Sequence, residues 1–328
     1  GRTFMNSSEG GRNRPWCDVA VRDTYNSAVR KTRAMLFAHT LADLAGVPHN
    51  GHALGVWWVK THGLQHDDPY SSKWIAYFEG SLPRDALLQQ MLGEFPVLRQ
   101  VLCDPLWLAL SGLSADRSFW DRCAAALRMD GKPLPDFTNL AMARLCSSPS
   151  WTKIGPLLIL MRSEARSLVG QRAWLKKNFS LYFYLACLRS PLWHIRYQLL
   201  DLISALLDCE LLVDGELRAW ERKYKNLNHT LNVYQDILEC MFEYEWVHAW
   251  NDEAFLLLWE ALEDMELVNA LLNSKTRMVM PDRLRMQWSR AKKTILTARV
   301  SLPWTAIGLS RDVAKGDLRI MRRVGVKA

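Results

Sequence analysis

Residues 66–108 read HDDPYSSKWIAYFEGSLPRDALLQQMLGEFPVLRQVLCDPLWL, and the punctuation of this stretch decides the fold. Asp68-Pro69 joins an N-cap residue to a proline at the first helical position, and Gly80 is a helix stop. Leu82-Pro83 opens a second helix that Gly93 closes, and Phe95-Pro96 opens a third. Three short helices with tight turns are predicted. Helical periodicity continues on both sides. A helix from Asp18 or Asp23 to Ala45 sets Val29, Leu36, Phe37, Leu41 and Leu44 on one face. Residues 171–188, 191–212, 216–244, 253–272 and 281–300 each repeat apolar residues every three or four positions, with 226–229 as a kink or break. Gly51, Gly55 and Gly63 argue against a long regular helix between Gly46 and Asp68. Strand signals are nearly absent. The expected fold is all-α, an irregular multi-helix bundle or stacked helical pairs with a helix-turn-helix-like N-terminal part. The turn at 130–135 (DGKPLP) is the best candidate boundary, giving helical domains at 17–130 and 136–328.

Within 69–93, Ser71, Ser72, Lys73, Trp74, Tyr77, Phe78, Gly80 and Pro83 follow in an order that resembles the recognition helix and exit turn of the Cro/repressor-type helix-turn-helix. The resemblance implies a partner helix at 35–45 with Gly46 as its stop, and DNA contact through Ser71, Ser72 and Lys73. That family joins its helices by about 3–4 residues; here more than twenty separate Gly46 from Pro69. The alternative is three packing helices with Trp74, Tyr77 and Phe78 in the core.

A second group of candidates lies near the C-terminus. The formal net charge is +8, and it is uneven: residues 208–266 carry fifteen acidic and four basic side chains, whereas 268–328 carry fourteen basic and three acidic. Arg285, Lys292 and Arg299 are spaced by seven and fall on one helical face. With Lys293 and Arg84 they are candidate phosphate contacts of the sequence-independent kind. The basic run continues through Arg311, Lys315, Arg319, Arg322 and Arg323. The competing reading pairs this face with the acidic helices.

Composition narrows the remaining classes. With 328 residues and 49% hydrophobic content, the chain can bury a large core. No apolar run reaches the roughly 18 residues a membrane span needs, no segment reads as a leader, and the opening GRTFM reads as a tag remnant. A cytoplasmic location is expected. The seven cysteines show no C-x-x-C pair, so neither a disulfide framework nor a zinc ribbon is indicated, and most should be reduced core residues. Fifteen tryptophans are dispersed along the chain, which favours core anchoring. A cap, a proline and a tryptophan recur at 104–107 (DPLW), 148–151 (SPSW) and 190–193 (SPLW), and each tryptophan is expected to plug inward.

His39, His49, His52, His62 and His66 cluster in sequence. His62 and His66 are four apart, and Asp67 could complete a set, but Gly63 interrupts their helix and loop histidines bonded to backbone are the ordinary reading. Glu239, Glu243 and His248 lack the second Glu-x-x-His that a dinuclear bundle requires. No phosphate loop, nucleophile elbow or other catalytic motif is present, so no metal, cofactor or catalytic residue is assigned. Two function classes remain: a nucleic-acid-binding regulatory protein, and a helical adaptor that binds another protein through its acidic helices.

Overall fold

The computed structural model describes residues 19–111, 117–213 and 215–303. It is dominantly helical, as expected. The N-terminal part holds α1 (Val19–Ala45), α2 (Gly51–His62), α3 (Ser72–Phe78), α4 (Asp85–Glu94), α5 (Val97–Leu102), α6 (Pro105–Leu110) and α7 (Arg117–Ala126). A small antiparallel sheet follows, with β1 (Arg128–Met129) between β2 (Lys132–Pro133) and the distant β3 (Val300–Ser301). The rest comprises α8 (Asn139–Cys146), α9 (Trp151–Arg162), α10 (Val169–Cys187), α11 (Arg196–Asp208), α12 (Tyr224–Glu243), α13 (Asp252–Leu262), α14 (Met265–Asn273) and α15 (Asp282–Thr294). Among the described residues, no helix is long and apolar enough to cross a membrane.

α1 is the spine. Tyr25, Val29, Leu36, Phe37 and Leu41 are buried along one side of the helix, which packs on α3, α5, α6 and α11. The Tyr25 hydroxyl donates to the Leu110 carbonyl at 2.8 Å, tying α1 to the end of α6. α9 is buried almost along its whole length and lies against α6, where a Cβ on Gly155 would stand 2.3 Å from the Leu106 nitrogen. Its last residue, Arg162, donates to the Ala109 and Ser111 carbonyls at 2.9 and 2.6 Å and places its guanidinium 3.8 Å from the Trp120 ring. A buried guanidinium is stable only with such partners. One hydrophobic cluster runs from Tyr25 to Leu302, through the residues on either side of the 130–135 turn. That turn carries the small sheet, and Asp130 exchanges hydrogen bonds with the Arg299 backbone.

Several expectations are corrected. Residues 51–62 do form a regular helix, capped by the Asn50 side chain at one end and by left-handed Gly63 at the other. Its internal glycines do not break it: a Cβ on Gly51 or Gly55 would lie 2.5 Å from the Ile75 nitrogen or 2.2 Å from the Pro69 carbonyl oxygen. They let α3 approach. Ser71, rather than Asp68, caps α3, and Asp68 instead closes a turn onto the Tyr70 nitrogen. The expected 253–272 helix is two, because Asp264 caps a new start at α14. α12 runs unbroken through 226–229, where Asn228 accepts from the Tyr197 hydroxyl at 2.8 Å. α15 stops at Thr294, short of residue 300. Trp107 is fully buried, but Trp151 and Trp193 are only partly so. Cys123, Cys146, Cys187 and Cys240 are free thiols, whereas Cys209 is disulfide-bonded.

Candidate functional site

The helix-turn-helix candidates lie at the start of α3. Ser72 is exposed; Ser71 spends its hydroxyl on the Lys73 nitrogen at 3.5 Å. Lys73 is half-exposed, its Nζ 3.8 Å from Asp67 and 5.2 Å from the Trp74 ring. Trp74 and Tyr77 are buried, and Phe78 is partly buried. Arg84 is exposed just before α4, where it supplies no side-chain cap. α3 packs on α1 and α2, whereas α15 packs on α13, so the two predicted groups belong to different packing units.

α15 turns Leu284, Ala291 and Ile295 inward. The three residues spaced by seven do not form one outer face. Lys292 is partly buried, with Nζ 3.7 Å from Glu253 on the acidic α13 and 3.8 Å from the Trp288 ring. Arg285 is exposed, 3.5 Å from Asp282, and reaches the Met280 carbonyl. Arg299 lies beyond the helix, its backbone held by Asp130. Lys293 does face solvent, together with Arg283 and Arg290, which the sequence places in the same basic run but not on the face spaced by seven. Arg283 and Arg290 flank the buried Leu284 and Ala291, and Lys293 lies roughly opposite them. Residues 311–323 lie outside the described residues.

A cavity of about 620 Å³ opens between α10 and α13, lined by Phe137, Trp174, Lys177, Trp259, Glu260 and Glu263 among others. Burial, then the neighbouring Glu263, raises the Glu260 carboxyl to about 7. The buried indole nitrogen of Trp259 has no hydrogen-bond partner.

The histidines assemble differently from their order in sequence. His62 is consumed locally: Nδ1 meets the Trp58 carbonyl at 2.8 Å, Nε2 meets Glu94 at 2.7 Å, and the ring stacks on Trp58. His66 is exposed in the following loop, and Glu239, Glu243 and His248 are exposed as well. Instead, His39 from the end of α1, His49 from the turn before α2, and His194 from the 3-10 turn Leu192–Ile195 meet in one stack. Ring centroids are 3.8 Å apart for His49 and His194, 4.5 Å for His39 and His194, and 5.2 Å for His39 and His49. Phe78 of α3 sets its edge against His39 at 5.0 Å. Among the described residues this is the one group of three or more His, Cys, Asp or Glu with ligand atoms all within 4.8 Å of one another.

Hydrogen bonds orient the stack. Asp43 accepts from His49 Nε2 at 2.7 Å, and Ser190 Oγ donates to both Asp43 oxygens at 2.8 and 2.6 Å. A carboxylate only accepts, so His49 carries a proton on Nε2. Its Nδ1 lies 2.9 Å from His39 Nδ1, and the two share a single proton. Burial, followed by the neighbouring His194 and His49, lowers His39 to about 3; burial, then His49, lowers His194 to about 4. Both imidazoles are neutral at physiological pH. Sequence reasoning singled out His39 and His49 but not His194, whose position inside SPLWH reads only as a helix start.

No known family, curated protein or solved structure matches this chain.

Proposed function

We propose that this protein binds nucleic acid, as a regulatory-type protein that holds phosphates on the outer face of α15. One observation carries the reading. Arg283, Arg290 and Lys293 share the solvent side of α15, and among the described residues none has an ion pair, while the nearby carboxylates of Asp282 and Glu253 are taken by Arg285 and Lys292. Cations grouped without partners neutralise phosphate without reading sequence. The net charge of +8 supports the same reading. Exposed Ser72, half-exposed Lys73 and exposed Arg84 are the candidate contacts around α3. A cytoplasmic setting belongs to this reading; free Cys123, Cys146, Cys187 and Cys240 support it and bonded Cys209 counts against it.

The test is a shift assay with duplex DNA and with single-stranded RNA at two salt concentrations. Binding that weakens steeply with salt, and that Arg283→Ala, Arg290→Ala and Lys293→Ala together reduce, is expected. Absence of salt-dependent binding to either nucleic acid overturns the reading. The second reading, a non-enzymatic helical adaptor, has its own observation: Met265, Leu272, Val279 and Met286 are exposed on α14, α15 and the segment between them, Val279 at 83%.

A further inference from the structure

We propose that His39, His49 and His194 form a transition-metal site, with zinc the ion of choice. Three imidazoles from three separate segments meet with their ligand nitrogens within 4.8 Å of one another. An all-imidazole set suits zinc, copper, nickel and iron, and three protein nitrogens with a fourth position left for water match the zinc sites that keep an open position. In tetrahedral coordination the nitrogens stand about 3.3 Å apart, given zinc–nitrogen bonds of about 2.0–2.1 Å. The three rings now lie within 20° of parallel, so binding requires the imidazoles to turn about their Cβ–Cγ bonds until their in-plane lone pairs converge on the ion.

The surroundings fit a ligand set better than a chance contact. Metal-binding histidines commonly donate their second ring N–H to a carboxylate, which fixes the tautomer and ring orientation. His49 does this: its Nε2–H is held by Asp43, which Ser190 holds in turn, so that Nδ1 points toward His39. An ion at His49 Nδ1 would replace the single proton now shared with His39 Nδ1. That proton passes through solvent to His39 Nε2, leaving the ring neutral and its Nδ1 free to bind. His194 brings a ring whose nitrogens have no hydrogen-bond partner among the described residues, 3.8 Å from His49 centroid to centroid. His39 is buried beneath Phe78, while partly exposed His49 and His194 leave an entry path.

The consequence is a clasp. Residues 39, 49 and 194 are far apart in the chain, and one ion would tie the end of α1, the α1–α2 turn and the 192–195 turn together. Binding to the folded form alone raises stability by mass action.

Chelator-treated protein titrated with Zn(II) by calorimetry, and with Co(II) by visible absorption, tests the site. One ion per chain, the d–d bands of cobalt in a nitrogen-rich site of low coordination number, and a melting temperature that rises with zinc are expected. His39→Ala removes a buried ring and risks misfolding, so His49→Gln and His194→Gln decide the matter; each should abolish the cobalt bands and weaken zinc by more than 100-fold. Asp43→Asn should retain the site with 10–100-fold weaker affinity. His62→Ala should bind as wild type does. No cobalt bands and no zinc heat in wild type would overturn the proposal, as would undiminished binding by both His49→Gln and His194→Gln, or loss of binding in His62→Ala alone.

Discussion

A Cβ placed on Gly55 would stand 2.2 Å from the carbonyl oxygen of Pro69. No side chain other than hydrogen fits there without moving the α2–α3 contact, because the obstacle is backbone. Gly55→Ala should therefore destabilise the protein by about 1–3 kcal/mol, the usual cost of overpacking. Gly93, in α4, is the control: a Cβ there would meet nothing within 4 Å. Gly93→Ala should stabilise by up to about 1 kcal/mol through the unfolded chain. Denaturant midpoints of the two variants, moving in opposite directions, check this.

The three tryptophans of the recurring phrase should separate. Trp107 is fully buried and its indole donates to the Val101 carbonyl at 2.7 Å. Trp107→Ala should cost about 3–5 kcal/mol. Trp151→Ala and Trp193→Ala should each cost less, since both rings keep contact with water. Equal losses at all three sites would contradict the burial pattern.

Glu260 should impose a pH dependence of defined sign. Its carboxyl is raised from 4.5 to about 7 in the fold, so the folded state holds a proton that the unfolded chain has released. Such a group contributes stability that is complete below the unfolded value and is lost as pH rises through the folded one. Asp104, raised by burial to about 8, acts in the same sense in both proteins and cancels from a difference. Between about pH 5 and about pH 8, Glu260→Gln should lose less melting temperature than wild type. Parallel profiles would show that Glu260 contributes no such term.

For nucleic acid, the two faces of α15 should differ in salt dependence. Each phosphate contact contributes about 0.9 to the slope of log affinity against log salt on duplex DNA. Removing Arg283, Arg290 and Lys293 should flatten the slope by up to about 3, for all sequences alike. Arg285→Ala with Lys292→Ala should flatten it less, because these cations already face Asp282 and Glu253. Exposed pairs of this kind contribute little, so stability should change by about 1 kcal/mol or less.

Helix existence was readable wherever the signal was local. Val29, Leu36 and Leu41 sit at the spacing their burial requires, and Pro96 and Pro105 stand at the starts of α5 and α6. The misreadings share a cause. Gly51 and Gly55 look like breakers until the Pro69 carbonyl and Ile75 backbone that need their space are in place. Lys292 reads as an outward cation until Glu253 of α13 shows which way its side chain is turned. In each case the deciding atom belongs to another segment.

By itself the sequence determined the all-α class, most helix positions, the dispersed tryptophan anchors and the polarity of charge along the chain, because periodicity, capping and composition act over a few residues. Only the tertiary structure decided which cations of α15 remain unpaired, which tryptophans are sealed from water, and that His194 joins His39 and His49. Those properties depend on distances between segments as many as 155 positions apart, as His39 and His194 are. Such distances are set by how helix faces pack, and no spacing along the chain encodes them.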